Sequence, residues 1–126
     1  MKDSKFLRAL NLKSNAIPPV WFMRQAGRYL PEYQEIRKNY SNFLDMCKQP
    51  KICAELALQP IDRYGLDASI LFSDILTIPD AFNLGLAFHE GEGPKFSNPI
   101  SSAEDINRLD IFDVNSLSYV FKAVEE

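Results

Sequence analysis

Apolar positions recur along the chain in short bursts of helical spacing, punctuated by prolines and by one continuous apolar run. Phe6, Leu7 and Leu10 share a face of a short helix predicted over about 3–11, which Asp3 or Ser4 can cap. Asn15 to Pro19 end it. Val20-Trp21-Phe22-Met23 follows Pro18-Pro19 and reads as extended and largely buried, because proline cannot continue a helix and pushes its predecessor toward β or polyproline geometry. A loop follows at Arg24-Gln25-Ala26-Gly27-Arg28, and Pro31 suits the first turn of a helix over about 31–39.

Ser41 or Asn42 can cap a short helix ending near Cys47. Pro50 can open another toward Tyr64, with Ile52, Leu56 and Ile61 inward and a kink or early end expected at Pro60. Gly65 supplies a helix stop. Ala68-Ser69-Ile70-Leu71-Phe72 is a continuous apolar run of the kind found in parallel strands covered on both faces, and Ser73 and Asp74 close it. A brief helix near 79–84 comes next. A hairpin with a Gly-rich turn is expected over 88–96; its glycines do not follow a strand and open a helix, so they are a poor match to a phosphate loop. Ser101 or Ser102 caps a helix over about 103–109, and a last helix starts near Asp113 with Val114, Leu117, Phe121 and Val124 on one face.

This α/β pattern contains one convincing buried strand and no partner for it, and a single strand leaves backbone N–H and C=O groups unpaired. The last helix reaches Glu125-Glu126 without a stop residue and with acids where the helix dipole favours bases. Both features suggest a portion of a larger domain. With 126 residues the chain has room for one small core, and fifteen aromatics argue against disorder.

Charge is uneven. Residues 1–63 carry a net +5 and residues 64–126 a net −8. The basic groups alternate with Leu, Ile and Tyr at helical spacings, as on a solvated helix face, so a nucleic-acid partner is not expected. No apolar run approaches the roughly 18 residues of a membrane span, and the start lacks a signal-peptide core, so a cytoplasmic location and no membrane partner are expected. Cys47 and Cys53 stand with a single histidine, His89, which supports neither a zinc site nor a disulfide framework; no metal is expected.

Two features carry chemistry. In Met23-Arg24-Gln25-Ala26-Gly27-Arg28-Tyr29, two guanidiniums flank a centre with almost no side chain. A ligand can approach the backbone there while both arginines fork onto carboxylate or phosphate oxygens. The alternative is that Arg24 and Arg28 are surface helix residues at i and i+4 making ordinary ion pairs. Asp74 stands where an apolar strand ends, the edge at which α/β proteins bind ligands. The alternative there is a helix cap for the segment that follows. Ser73 fits a capping neighbour better than a nucleophile.

The run Pro18-Pro19-Val20-Trp21-Phe22-Met23-Arg24-Gln25-Ala26-Gly27-Arg28-Tyr29-Leu30-Pro31-Glu32 closely resembles the N-terminal signature of the uroporphyrinogen decarboxylase family. Glu55-Leu56-Ala57-Leu58-Gln59-Pro60 and Ile70-Leu71-Phe72-Ser73-Asp74-Ile75-Leu76 resemble that family's next segments, in the same order. The resemblance implies a (β/α)8 TIM barrel, of which residues 1–126 would be an incomplete N-terminal portion: helices, a substrate loop at 23–29, a first barrel strand at about 67–73 and the start of the following helices. It implies a cytoplasmic enzyme, homodimeric at full length and free of metal or organic cofactor. The activity implied is removal of carbon dioxide from the four acetate side chains of uroporphyrinogen III to give coproporphyrinogen III. Arg24, Gln25, Ala26, Gly27 and Arg28 would bind substrate. Asp74 would be the essential carboxylate below the pyrrole nitrogens, and Arg24 either a proton donor or a carboxylate ligand. The chain alone would be inactive. Rival readings are a related barrel methyltransferase and a non-catalytic anion-binding remnant.

Overall fold

The computed structural model describes residues 4–22, 28–89 and 92–126. Among the described residues, seven α-helices, one 3₁₀ turn and one hairpin follow in order. Helix α1, Lys5–Leu10, is capped by Ser4, whose hydroxyl oxygen accepts the Leu7 N–H at 3.2 Å. Its expected apolar face is not buried: Phe6 and Leu10 stay exposed. Helix α2, Pro31–Arg37, opens on its proline as the sequence suggests and ends two residues early. Helix α3, Phe43–Cys47, takes Asn42 as its cap, with the Asn42 side-chain oxygen accepting the Leu44 N–H at 3.0 Å.

Helix α4, Pro50–Tyr64, is the longest element and carries the core. Cys53, Leu56 and Pro60 form its buried stripe, and Ile52 packs beside it. The early end expected at Pro60 does not occur, since the helix continues to Tyr64 with the proline ring buried inside the fold. Burial of that ring recovers apolar free energy against the one lost backbone hydrogen bond. Gly65 stops the helix in the left-handed region, at φ 63°, where an L side chain would be strained.

The core joins Leu30 and Tyr33 at the start of α2, Met46 and Cys47 of α3, the α4 stripe, Phe72 and Ala123. An aromatic chain runs through it: Tyr33 and Phe43 each meet Phe72 at 6.0 Å between ring centres, and Phe43 meets Phe88 at 5.2 Å. Both thiols are free and buried. Burial first, then the neighbouring Cys53, then Asp74 push the Cys47 thiol up to about 12.

The apolar run 68–72 departs from expectation. It forms no strand among the described residues, Phe72 is buried, and Ile70 is 61% exposed. A strand needs a ladder partner along its length, whereas this segment is tied at points: the Asp67 N–H donates to the Val20 carbonyl at 3.0 Å, and the Ser69 hydroxyl to the Ala57 carbonyl at 2.6 Å. Val20 and Phe22, expected inside, are exposed.

Helix α5, Thr77–Ala81, begins two residues before the expected start. The hairpin pairs β1, Leu86–His89, antiparallel with β2, Gly93–Phe96, in the register Leu86 to Phe96 and His89 to Gly93. Helix α6, Ala103–Asn107, is capped by Ser102, and Asp105 reciprocates by accepting the Ser101 N–H. Asp113 caps a 3₁₀ turn, Val114–Leu117, that leads into α7, Ser118–Glu125. The expected face of this last helix is corrected: Ala123 is buried, while Val114, Phe121 and Val124 are exposed. Packing on α4 selects the small side chain, because it lets the two helices approach closely.

Candidate active site

The two sequence candidates fall on different footings. Arg24, Gln25, Ala26 and Gly27 lie outside the described residues. Arg28 is exposed in the turn that leads into α2. Its charge reaches the core edge, where burial raises the Tyr33 phenol and the charges of Arg28 and Arg37 oppose that rise. The turn is fixed by Leu30, one of the most deeply buried side chains of the fold.

Asp74 follows buried Phe72 and is itself half-buried. One carboxylate oxygen accepts the Leu76 N–H at 2.7 Å, and its backbone carbonyl accepts the Thr77 N–H at 3.3 Å. It therefore shapes the turn before α5 without capping the helix, whose N-cap is Leu76 and has no side-chain cap. The turn bond uses one of two carboxylate oxygens and leaves the charge in place. That negative charge also acts on its neighbours, helping to raise the Cys47 thiol and the Tyr119 phenol. Next to it, the Ser73 hydroxyl is buried with no hydrogen-bond partner among the described residues. No hydrogen bond or ion pair joins Arg28 directly to Asp74.

Lys5, Glu32, Arg63, Tyr64 and Asp67, to which the sequence assigned no role, contact the residues on either side of the arginine segment or one another. Arg63 grips Glu32 in a bidentate pair, Nε to Oε1 at 2.7 Å and Nη2 to Oε2 at 2.8 Å. That pairing holds the Glu32 carboxyl below the usual range and raises Arg63. The Tyr64 and Tyr29 hydroxyls meet at 3.2 Å, and this contact raises the Tyr64 phenol. Asp67 accepts the Val20 N–H at 2.9 Å and pairs with the Lys5 ammonium at 2.9 Å. Lys5 first and the Val20 N–H second pull the Asp67 carboxyl down. Partners so far apart in sequence leave no periodic signal, so pattern reading had nothing with which to find them.

A cleft of about 960 Å³ lies elsewhere, with Lys48, Asp80, Asn98, Arg108, Asp113 and Tyr119 among its lining. Neither Arg28 nor Asp74 lines it, and its Lys48 is already paired with Asp80 at 2.8 Å. Among the described residues no group of three or more His, Cys, Asp or Glu could hold a metal ion, and no helix is long and apolar enough to cross a membrane.

Comparison with known proteins fixes the lineage. The family described as "Uroporphyrinogen decarboxylase (URO-D)" matches residues 1–126. The chain is 55% identical over 124 residues to the uroporphyrinogen decarboxylase of Legionella pneumophila, with 98% of this chain and 35% of that protein covered. It is 54% identical over 127 residues to that of Methylobacillus flagellatus, covering 100% and 36%, and 52% identical over 126 residues to that of Cupriavidus necator, covering 100% and 35%. The chain thus spans about a third of the length of these curated relatives. A match running from one end of the chain to the other leaves one conclusion: it belongs to the uroporphyrinogen decarboxylase family.

Proposed function

We propose that this chain is the first portion of a cytoplasmic, homodimeric (β/α)8 barrel that decarboxylates uroporphyrinogen III to coproporphyrinogen III. The observation that carries this reading is the end-to-end match, at 52–55% identity, to proteins that bear the decarboxylase name. The residues fit the chemistry. The substrate carries eight carboxylates, and the sequence offers two guanidiniums, Arg24 and Arg28, for charge-assisted bonds to them, with the amide of Gln25 and the small Ala26 and Gly27 between. Loss of carbon dioxide leaves an electron pair on carbon, which the pyrrole accepts once it is protonated on a ring carbon. The ring is then cationic and is stabilised by an anion near its N–H groups. Asp74 is that anion, fixed beforehand by its turn, so no reorganisation is needed as charge develops. Arg24 either hands over the proton or organises a water that does; a guanidinium holds its proton far above neutral pH, which makes direct transfer demanding. No metal or organic cofactor takes part in this scheme.

The test is a chimera in which residues 1–126 replace the matched segment of the Legionella pneumophila decarboxylase. Assayed with uroporphyrinogen III, the chimera releases carbon dioxide and forms coproporphyrinogen III, whereas the 126-residue chain alone forms none. A folded chimera without turnover, while the unsubstituted relative is active, contradicts the reading.

A further inference from the structure

Asp74 lies inside a span that is tied at both ends to one short helix. Upstream, the buried Phe72 ring meets Phe43, the first residue of α3, edge-on at 6.0 Å. Downstream, the Asp80 carboxylate of α5 takes the Lys48 ammonium at 2.8 Å, and Lys48 is the C-cap of α3. Hydrogen bonds carry that second tie back to Asp74: its carboxylate accepts the Leu76 N–H at 2.7 Å, and the Leu76 carbonyl accepts the Asp80 N–H at 2.8 Å. Helix α3 is itself fixed, since Met46 and Cys47 are buried in the core. After burial and Cys53, the Asp74 charge raises the Cys47 thiol and the Lys48 charge opposes that rise, so both groups act on the end of α3.

We propose that the Lys48–Asp80 ion pair locks α5 to the end of α3 and so sets where the Asp74 carboxylate stands before substrate arrives, making Lys48 and Asp80 positioning residues for the decarboxylation. The inference rests on the proposed function, because it needs Asp74 to face the reacting pyrrole. Apolar contact at Phe72 is non-directional and leaves the following turn free to pivot. Helix α5 has no buried residue and no side-chain cap, so burial does not hold it, and the ion pair supplies a directional tie. A preformed charge is useful only where it is held in place, and a small displacement of such a group is costly to the chemical step. Stability is the weaker explanation. The Lys48 and Asp80 side chains keep 42% and 22% of their surface exposed, and ion pairs in that setting contribute little to folding.

Kinetics of the chimera test the assignment. Lys48→Ala lowers kcat for uroporphyrinogen about tenfold and changes KM less than about threefold, with the urea midpoint unmoved, because the chemical step loses its oriented charge while capture of substrate does not. Asp80→Asn keeps side-chain size, breaks the same pair and lowers kcat in the same way, and it stands in for Lys48→Ala should that variant fail to fold. Lys48→Arg, which retains the pair, stays within about twofold of the parent chimera. In an Asp74→Asn background, Lys48→Ala lowers kcat by less than about twofold more, since a residue that acts through Asp74 has nothing left to position. If Lys48→Ala and Asp80→Asn keep the parental kcat, or if Lys48→Ala loses as much without the Asp74 charge as with it, the positioning role is wrong and the site stands. If a folded Asp74→Asn chimera keeps the parental kcat, Asp74 takes no part in the reaction and both proposals fall.

Discussion

Replacing Asp74 by alanine in the active chimera lowers kcat by roughly 10²–10³, the scale on which one preformed group facing a developing charge acts in a closed site. The expected loss is in the chemical step, because a cation forms on the pyrrole only as the reaction proceeds, so KM moves less than kcat. The structure gives Asp74 a second task, accepting the Leu76 N–H at 2.7 Å, and an alanine removes that acceptor as well. Asp74→Asn separates the two tasks. Asparagine keeps an oxygen for the turn and loses the charge. The charge account expects the Asn variant to fold like the parent and to be as slow as the Ala variant. Near-parental turnover in a folded Asn variant assigns Asp74 to the turn alone.

Leu56→Ala in the same chimera destabilises by about 2–5 kcal/mol, read from the urea midpoint, through lost transfer free energy and the cavity left behind. Leu56 is fully buried at the centre of the α4 stripe, in a cluster with Met46, Cys53, Leu30 and Tyr33 whose partners are fixed by several elements and cannot collapse inward easily. Lys51→Ala on the exposed side of the same helix stays within about 0.5 kcal/mol of the parent. Equal losses from the two substitutions would show that α4 does not present this face to the core.

What the sequence disclosed, and what it did not, divides along physical lines. Local chemistry was legible. Pro31 and Pro50 open helices, Asn42, Ser102 and Asp113 cap them, and Gly65 ends one, because each effect acts within a turn of its own position. Burial was less legible, because it depends on partners remote in sequence. Leu56 faced the core as expected, with Ile52 partly buried beside it, but Cys53 and Pro60 rather than Ile61 complete the buried stripe, and the apolar face proposed for the last helix turned outward when α4 selected Ala123. The run 68–72 has strand composition, yet composition cannot supply the neighbouring strand that a ladder requires. At the site, Arg28 and Asp74 stood out by type and position. Glu32, Arg63, Tyr64 and Asp67 did not, for their partners lie between 31 and 62 residues away and the residues themselves are of the types that commonly face solvent. The family match passed over this limit, since it runs over residues 1–126 as a whole and does not depend on which contacts form.

The central claim is that Asp74 faces the pyrrole N–H groups of a bound tetrapyrrole whose carboxylates are held by Arg24 and Arg28. A crystal structure of the chimera with coproporphyrinogen III bound tests it most directly. The account predicts an Asp74 carboxylate oxygen within about 3 Å of pyrrole nitrogens and both guanidiniums on product carboxylates. Product bound with Asp74 engaged only in its turn, and with both arginines directed into solvent, would contradict it.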